Sequence, residues 1–169
     1  MTKLKKIVWL AICVLVVIYG TIKITRVTTE NRIIRGFQAD ISFHLQRTVT
    51  EQVSVLEHGS RQALLEMAQQ YELLYDKYFQ MNSLFRTGYS VNSNRWHTLS
   101  WYLIETIAGY DFSPDSGVTL TEKQTAFLTE VGELNQKLAE ELQQPMNRQM
   151  LERTLDFYFE DLNAIFPKK

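Results

Sequence analysis

The stretch KKIVWLAICVLVVIYGTIKITR, residues 5–26, determines whether the rest of the chain is released or stays attached to a membrane. The 16 residues from 7 to 22 carry no charge. As a helix that rises ~1.5 Å per residue they cover roughly 24 Å, slightly less than the roughly 30 Å hydrocarbon core of a bilayer. Lys5 and Lys6 on one side and Lys23 on the other can extend to the interfaces and complete a membrane span.

The same stretch could instead be a cleaved signal peptide or a lipoprotein signal. A cleavage site needs a small-x-small arrangement after the apolar run, and no pair of residues there provides one. The near-lipobox LAIC fails at Ile12, where a small residue is required before Cys13. We therefore predict an uncleaved anchor that contacts the bilayer through residues 7–22, including Ile7, Trp9, Leu10, Val14, Val17, Tyr19 and Ile22.

The anchor divides the chain into a tail with a transmembrane segment, residues 1–28, and an extramembrane domain, residues 29–169. Basic residues flank both sides of the span, so charge bias alone leaves the orientation open. A short basic N-terminus usually stays in the cytoplasm while a long domain is translocated, and we predict that orientation. The expected location is a bacterial inner membrane, with most of the chain outside the cytoplasm.

Composition argues for one globular domain behind the anchor. The 169 residues are 45% hydrophobic and 22% charged, with a net charge of −1. Residues 23–169 carry 15 basic and 19 acidic side chains and no basic run, which argues against nucleic acid or an anionic lipid surface as a partner of the domain. The only cysteine, Cys13, lies in the apolar run, so the domain has no disulfide and no thiolate chemistry.

Apolar residues recur at helical spacing through the domain. One stripe comprises Ile34, Phe37, Ile41, Leu45, Val49, Val53 and Leu56, and a second comprises Leu64, Met67, Tyr71, Leu74, Tyr78, Met81 and Phe85. Further apolar residues widen the second stripe, which indicates packing against several helices rather than a two-stranded coiled coil. The predicted fold is all-α: a single transmembrane helix followed by an antiparallel bundle of about four or five helices.

The tripeptide His58-Gly59-Ser60 separates the two stripes and leaves two arrangements open. Gly59 can end one helix in the left-handed conformation and Ser60 can cap the next, which gives a helical hairpin. Alternatively, residues 29–86 form one rod about 85 Å long. No proline or glycine occurs at residues 23–35, so the membrane helix is expected to continue into the first stripe.

Shorter elements follow the second stripe. Asn94 or Ser93 is expected to cap a short helix that ends near Gly109, before a Pro-Asp-Ser-Gly turn. A capping box at Thr121 and Gln124, or two residues earlier, is expected to begin the next helix. That helix and one further amphipathic helix complete the chain.

No residue pattern predicts catalysis. Asp40 and His44, four residues apart on a helix, come nearest to a metal site. No further histidine lies near them in sequence, so we interpret the pair as polar neighbours of the core stripe. Phosphate loops, Gly-x-Ser-x-Gly elbows and the Glu-x-x-His pattern of di-iron bundles are missing from the sequence. We predict a protein that is not an enzyme and that holds no metal and no cofactor.

Aromatic residues are concentrated between Tyr71 and Phe112, a segment that holds 11 of the 20 in the chain. On the short helix, a step of about 100° per residue places one apolar face at Trp96, Leu99, Leu103, Ile107 and Tyr110, with Trp101 and Glu105 nearly opposite. A helix that is apolar on more than one side lies at the centre of its bundle or contacts a partner. The candidate partner-binding residues are Trp96, Trp101, Tyr102, Glu105 and Tyr75.

These features predict a membrane-anchored accessory or scaffold subunit of an envelope complex. Its expected partners are other membrane or envelope proteins, including further copies of the chain, and no nucleic acid. One alternative is an extracytoplasmic ligand-sensing domain that signals through a partner, with Tyr75, Trp96 and Trp101 around a pocket. Another is an envelope-spanning rod whose layout resembles the inner-membrane subunit of a phage spanin, which requires a continuous helix over residues 29–86.

Overall fold

The computed structural model describes residues 3–85, 94–113 and 116–166, and these ranges contain no β-strand. They form five α-helices: α1 (Lys3–His58), α2 (Arg61–Phe85), α3 (Arg95–Tyr102), α4 (Glu122–Glu141) and α5 (Arg148–Ile165). A π-helical turn, Leu103–Ile107, follows α3 directly. The all-α prediction is confirmed. The predictions for Ser93 and for the Pro-Asp part of the turn fall outside the described residues.

Helix α1 runs without a break through 56 residues, from the apolar N-terminal stretch into the core. Among the described residues it is the one helix long and apolar enough to cross a membrane, and the apolar window that meets this test is not buried. Every large apolar side chain from Ile12 to Val27 is exposed, and Ile34 is the first buried residue among the α1 side chains that the structure describes. The expected continuation of the N-terminal helix into the first stripe is therefore present.

The chain reverses direction at Gly59, between α1 and α2. Gly59 adopts the left-handed conformation with φ of 60°, and Ser60 Oγ accepts a hydrogen bond from the backbone N–H of Ala63 at 3.2 Å. A Cβ at position 59 would lie 2.7 Å from the carbonyl oxygen of Val118, so both conformation and space require glycine there. Of the two arrangements left open by the sequence, the structure adopts the hairpin, and the continuous rod over residues 29–86 does not form.

Helices α2 and α4 both pack against α1 and run antiparallel to it. In both cases residue numbers fall along the partner helix as they rise along α1. The contacting pairs are Asp40 with Lys77 and Arg47 with Glu66 for α2, and Gln38 with Leu142 and Thr48 with Asn135 for α4. Helix α5 contacts α1, α3 and α4, so all five helices share one hydrophobic core.

The buried face of α1 differs from the predicted stripe beyond Leu45. The buried positions there are Thr48, Gln52 and Val55 rather than Val49 and Val53. Successive steps of four residues rotate a stripe around a helix with ~3.6 residues per turn, whereas mixed steps of three and four stay on one face. Polar side chains therefore occupy core positions where α1 meets α4. Gln52 lies against the backbone of Gly132, where an added Cβ would overlap with its amide.

A buried hydrogen-bond network contains one side chain from each of the five helices. Trp96 Nε1 donates to Tyr158 Oη at 3.1 Å, and Tyr158 Oη donates to Asn135 Oδ1 at 2.7 Å. Asn135 Nδ2 donates to Tyr71 Oη at 2.7 Å and to Thr48 Oγ1 at 3.0 Å. Burial raises the pKa of Tyr71 and of Tyr158, so both phenols stay protonated. Because its members are buried and satisfy one another, the network fixes the register of the helices.

The short helix departs from its predicted apolar face after Leu103. In the π-helical turn the backbone N–H of Ala108 donates to the carbonyl oxygen of Leu103 at 2.9 Å, which inserts one extra residue into the turn. Ala108 is buried as a result, whereas Tyr110, predicted on the same apolar face as Trp96, is 52% exposed with φ of 59°. The preceding Gly109, with φ of 62°, ends the helix at the predicted residue.

The predicted helix caps have mixed outcomes. Thr121 and Gln124 form the predicted capping box, in which Thr121 Oγ1 accepts from the Gln124 N–H at 3.3 Å and Gln124 Oε1 accepts from the Thr121 N–H at 2.8 Å. Asn94 precedes α3 but makes no capping hydrogen bond. Its φ of −82° and ψ of 3° are not the extended conformation that aims a capping side chain at the first turn.

Candidate partner-binding surface

Helices α2 and α3 share a surface on which one histidine links two of the candidate residues. His97 Nδ1 lies 2.9 Å from Glu72 Oε2, and Trp101 Nε1 donates to His97 Nε2 at 3.0 Å. Because Nε2 accepts the indole proton, these bonds require a neutral imidazole whose Nδ1–H donates to the carboxylate. The Tyr75 ring lies 5.4 Å from the imidazole, centroid to centroid. Glu72, Tyr75, His97 and Trp101 are named the His97 patch below.

The His97 patch is open to solvent. Trp101 is 48% exposed, and the side chains of His97 and Glu72 are partly exposed as well. The indole N–H of Trp101 already has an acceptor, so the side chain is held in place while part of its ring faces outward. A tryptophan ordered in this way has the properties of an interface anchor.

Trp96, the other tryptophan of α3, lies in the core and presents no surface. It is fully buried, and its indole N–H is bonded to Tyr158. The rings of Tyr78 and Phe159 lie against it with centroid distances of 6.0 Å and 4.9 Å. Trp96 therefore fixes the position of α3, and it does not share an exposed pocket wall with Trp101.

Tyr102 and Glu105 lie apart from the contacts that hold the His97 patch together. Tyr102 is partly buried in a cluster with Phe127 and Phe166, at centroid distances of 4.9 Å and 6.0 Å, and burial raises its pKa. Glu105 is exposed in the π-helical turn. Of the five candidate residues, the structure thus brings Tyr75 and Trp101 together around His97.

His97 and Glu72 are functional candidates that the sequence reasoning did not select. A local signal exists for His97, because it precedes Trp101 by four residues and this spacing aligns side chains on a helix. No local signal exists for Glu72, since nothing in the sequence around it shows that α2 and α3 meet at this point.

The predicted anchor residues lie on the exposed N-terminal part of α1. The side chains of Trp9, Val14, Val17, Tyr19 and Ile22 are all exposed. The side chains of Ile7 and Leu10 lie outside those that the structure describes. No protein neighbour covers this apolar segment among the described residues.

Asp40 and His44 have separate partners on α2. Asp40 Oδ2 accepts from Lys77 Nζ at 2.8 Å, and His44 Nδ1 lies 2.7 Å from Gln70 Oε1. In the part of the chain that the structure describes, no three residues of the types His, Cys, Asp and Glu are grouped so as to hold a metal ion.

A groove of about 580 Å³ lies between α1 and the connection from α4 to α5. Gln38 lines this groove. Its Nε2 donates to the carbonyl oxygens of Leu142 and Gln144 at 3.2 Å and 2.8 Å and so caps the end of α4. The exposed ring of Phe43 and the side chain of Arg35 form part of its wall.

Comparisons with protein-family models, with curated proteins and with solved structures each found no match to this chain. Its function is therefore inferred from its own geometry.

Proposed function

We propose that the protein is a single-pass, membrane-anchored helical subunit that serves as a scaffold or accessory component of an envelope membrane complex. The observation that carries this proposal is the continuity of α1, which joins an exposed apolar stretch to the helical core without a break. In this arrangement residues 7–22 cross the bilayer with the N-terminus in the cytoplasm. The five helices then form an antiparallel bundle at a fixed height above the membrane.

The bundle binds a partner protein through the His97 patch. Trp101 is already ordered by its hydrogen bond to His97, which is in turn held by Glu72. A side chain that is ordered before binding loses little conformational freedom in the complex. The molecule acts by contact rather than by catalysis, because the hydrogen bonds that order Trp101 serve to position an aromatic surface.

Ligand sensing is a second candidate function, and the groove beside Phe43 favours it. Its volume of about 580 Å³ is within the range of small-molecule sites. A ligand that binds in this groove is expected to raise the thermal unfolding midpoint of the wild-type chain, and Phe43→Ala is expected to reduce that rise. A metabolite library that leaves the midpoint unchanged counts against this function.

Extraction of the full chain from native membranes in a mild detergent tests the scaffold function. We expect a particle larger than the 19.8 kDa chain in its micelle. Trp101→Ala is expected to weaken the assembly by about 30-fold or more, since truncation of a central interface tryptophan costs roughly 2 kcal/mol or more. Analytical ultracentrifugation of the extracted particle measures this effect.

Phe157→Ala provides the matched control, because Phe157 is 52% exposed on α5 and lies outside the His97 patch. It is expected to leave the assembly intact. A strictly monomeric wild-type particle without crosslinks to other proteins would refute the proposal. Equal losses of assembly from Trp101→Ala and Phe157→Ala would show that the His97 patch is not the partner-binding surface.

A further inference from the structure

The end of the helical core nearest the N-terminal stretch contains a groove whose chemistry suits a lipid headgroup layer. This groove of about 520 Å³ is lined by Arg26, Thr29, Glu30, Ile33, Leu84, Phe85 and Arg148. It thus brings together the exposed stem of α1, the end of α2 and the start of α5. These three parts, formed by residues 23–33, 84–85 and 147–152, are named the base.

The height of the base follows from the length of α1. With the span ending at residue 22, Arg26 lies about 6 Å farther along the helix and Ile33 about 16 Å. The headgroup layer is roughly 5–8 Å thick on each side of the hydrocarbon core. Arg26, at the membrane-proximal end of the groove, is therefore level with the headgroups.

The net charge of the base is positive, whereas that of the domain as a whole is negative. Residues 23–33 and 147–152 contain four basic and two acidic side chains, whereas residues 23–169 carry 15 basic and 19 acidic ones. The sequence shows no basic run because the fold gathers the arginines from two distant helices. Arg26 has no ion-pair partner among the described residues, and Arg148 pairs with Glu152 at 2.8 Å.

Apolar side chains accompany these arginines. Leu84 is 62% exposed in the groove, and Met150, two residues after Arg148, is 51% exposed. The guanidinium of Arg148 lies 5.1 Å from the centre of the Phe85 ring, which supports it from the protein side. Exposed apolar tips beside guanidinium groups match the interface of a bilayer, where acyl chains meet phosphates.

We propose that the base rests on the bilayer and binds anionic lipid headgroups. Arg26 and Arg148 pair with lipid phosphates, and Leu84 and Met150 enter the interfacial region. This contact fixes the tilt of the bundle and thereby the direction in which the His97 patch faces. The proposal rests on the membrane anchor of the proposed function.

Fluorophores attached to single cysteines of the full chain test this contact in vesicles of phosphatidylcholine and phosphatidylglycerol. One label is placed on the native Cys13, and others on Leu84→Cys, Met150→Cys and Val53→Cys in a Cys13→Ser background. Nitroxide groups on the lipid headgroups or deep in the acyl chains serve as quenchers. Val53 is the matched control, because it is 47% exposed and about 46 Å along α1 from residue 22.

We expect deep quenching at Cys13, headgroup quenching at positions 84 and 150, and none at position 53. Arg26→Gln and Arg148→Gln are each expected to lower the equilibrium constant for contact between the base and the bilayer by about five-fold, since a basic residue near an anionic surface contributes about 1 kcal/mol. The exposed Arg153→Gln on α5 is expected to change nothing. These shifts should disappear in vesicles of phosphatidylcholine alone.

The possible failures of the two proposals are distinguishable. If Cys13 escapes the deep quencher, the anchor itself is wrong. If Cys13 is quenched but positions 84 and 150 behave like position 53, the lipid contact is refuted and the anchor stands. Quenching that is insensitive to both arginine substitutions refutes phosphate binding at the base.

Discussion

Asn135 joins α4 to three other helices through its side-chain amide. It accepts a hydrogen bond from Tyr158 and donates to Tyr71 and Thr48, all in a buried environment. Asn135→Ala removes the acceptor of the Tyr158 O–H and the donor to Tyr71 and Thr48, while Tyr158 keeps its bond from Trp96 and Thr48 keeps its bond to the Leu45 carbonyl oxygen. A buried polar group that loses its partner costs more than the hydrogen bond itself contributed. We expect the free energy of unfolding to fall by about 2–4 kcal/mol.

Denaturant unfolding of the full chain in detergent, followed by circular dichroism, measures this loss. Gln136→Ala is the control, because Gln136 is the exposed neighbour on the same helix and bonds only to Glu140 in the hydrogen bonds seen here. It should change the free energy of unfolding by less than about 0.5 kcal/mol. Equal stability of the two variants would show that the buried network does not hold the helices together.

At the scale of elements, the reversal between α1 and α2 depends on one residue. Gly59→Ala places a side chain in a left-handed backbone and a Cβ close to the Val118 carbonyl oxygen. We expect a loss of about 1–3 kcal/mol in the free energy of unfolding. Gly36→Ala, in the interior of α1 with no atom within 4 Å of the added Cβ, is expected to stabilise the chain by about 0.5–1 kcal/mol instead. Thermal unfolding of both variants checks the opposite signs, and a neutral Gly59→Ala would contradict the role of the turn.

The loop from α3 to α4 is fastened to this turn by Arg61. Its Nη1 donates to the carbonyl oxygens of Ala108 and Asp111 at 3.3 Å and 3.2 Å, its Nη2 donates to that of Gly117 at 3.1 Å, and its guanidinium forms an ion pair with the Asp111 carboxylate. The backbone N–H of Ser113 and the nearby Arg61 lower the pKa of Asp111.

This lowered pKa gives the stability of the chain a defined pH dependence. Because the folded pKa lies below the unfolded value of about 3.9, ionised Asp111 stabilises the fold above that pH. The stabilisation is lost as the pH falls through the lower, folded pKa. The unfolding midpoint, measured from neutral pH to below pH ~3, should therefore fall less steeply in Asp111→Asn than in the wild type. Identical acid profiles would contradict this contribution.

Local signals explain which elements could be predicted from the sequence. The turn at Gly59 and the capping box at Thr121 depend on neighbouring residues, so short-range chemistry indicates them. The π-helical turn and the exposure of Tyr110 could not be predicted, because an inserted residue leaves no mark on the apolar spacing. The contacts of Asn135 with Thr48 and of Glu72 with His97 join residues far apart in the chain, and only the packed structure brings them together.

At the scale of the whole molecule, one continuous helix links three proposed surfaces. In the proposed arrangement the N-terminal part of α1 contacts the acyl chains, the base contacts the headgroups, and the core that α1 shares with α2 and α3 carries the His97 patch. Because α1 has no break over its 56 residues, the height of the patch above the bilayer is set by helix length. This relation explains why the partner is expected to be a membrane protein whose outer part reaches the same height.

Site-specific photocrosslinking in native membranes tests the central claim most directly. A photoreactive tryptophan analogue, which keeps the indole N–H that bonds to His97, replaces Trp101 in one full-length chain and Phe157 in another, at positions of 48% and 52% exposure. We predict a discrete crosslink from position 101 to one integral membrane protein, whether another protein or a second copy of this chain, and none from position 157. No crosslink from position 101, or the same products from both positions, would contradict a membrane-anchored subunit that binds its partner through the His97 patch.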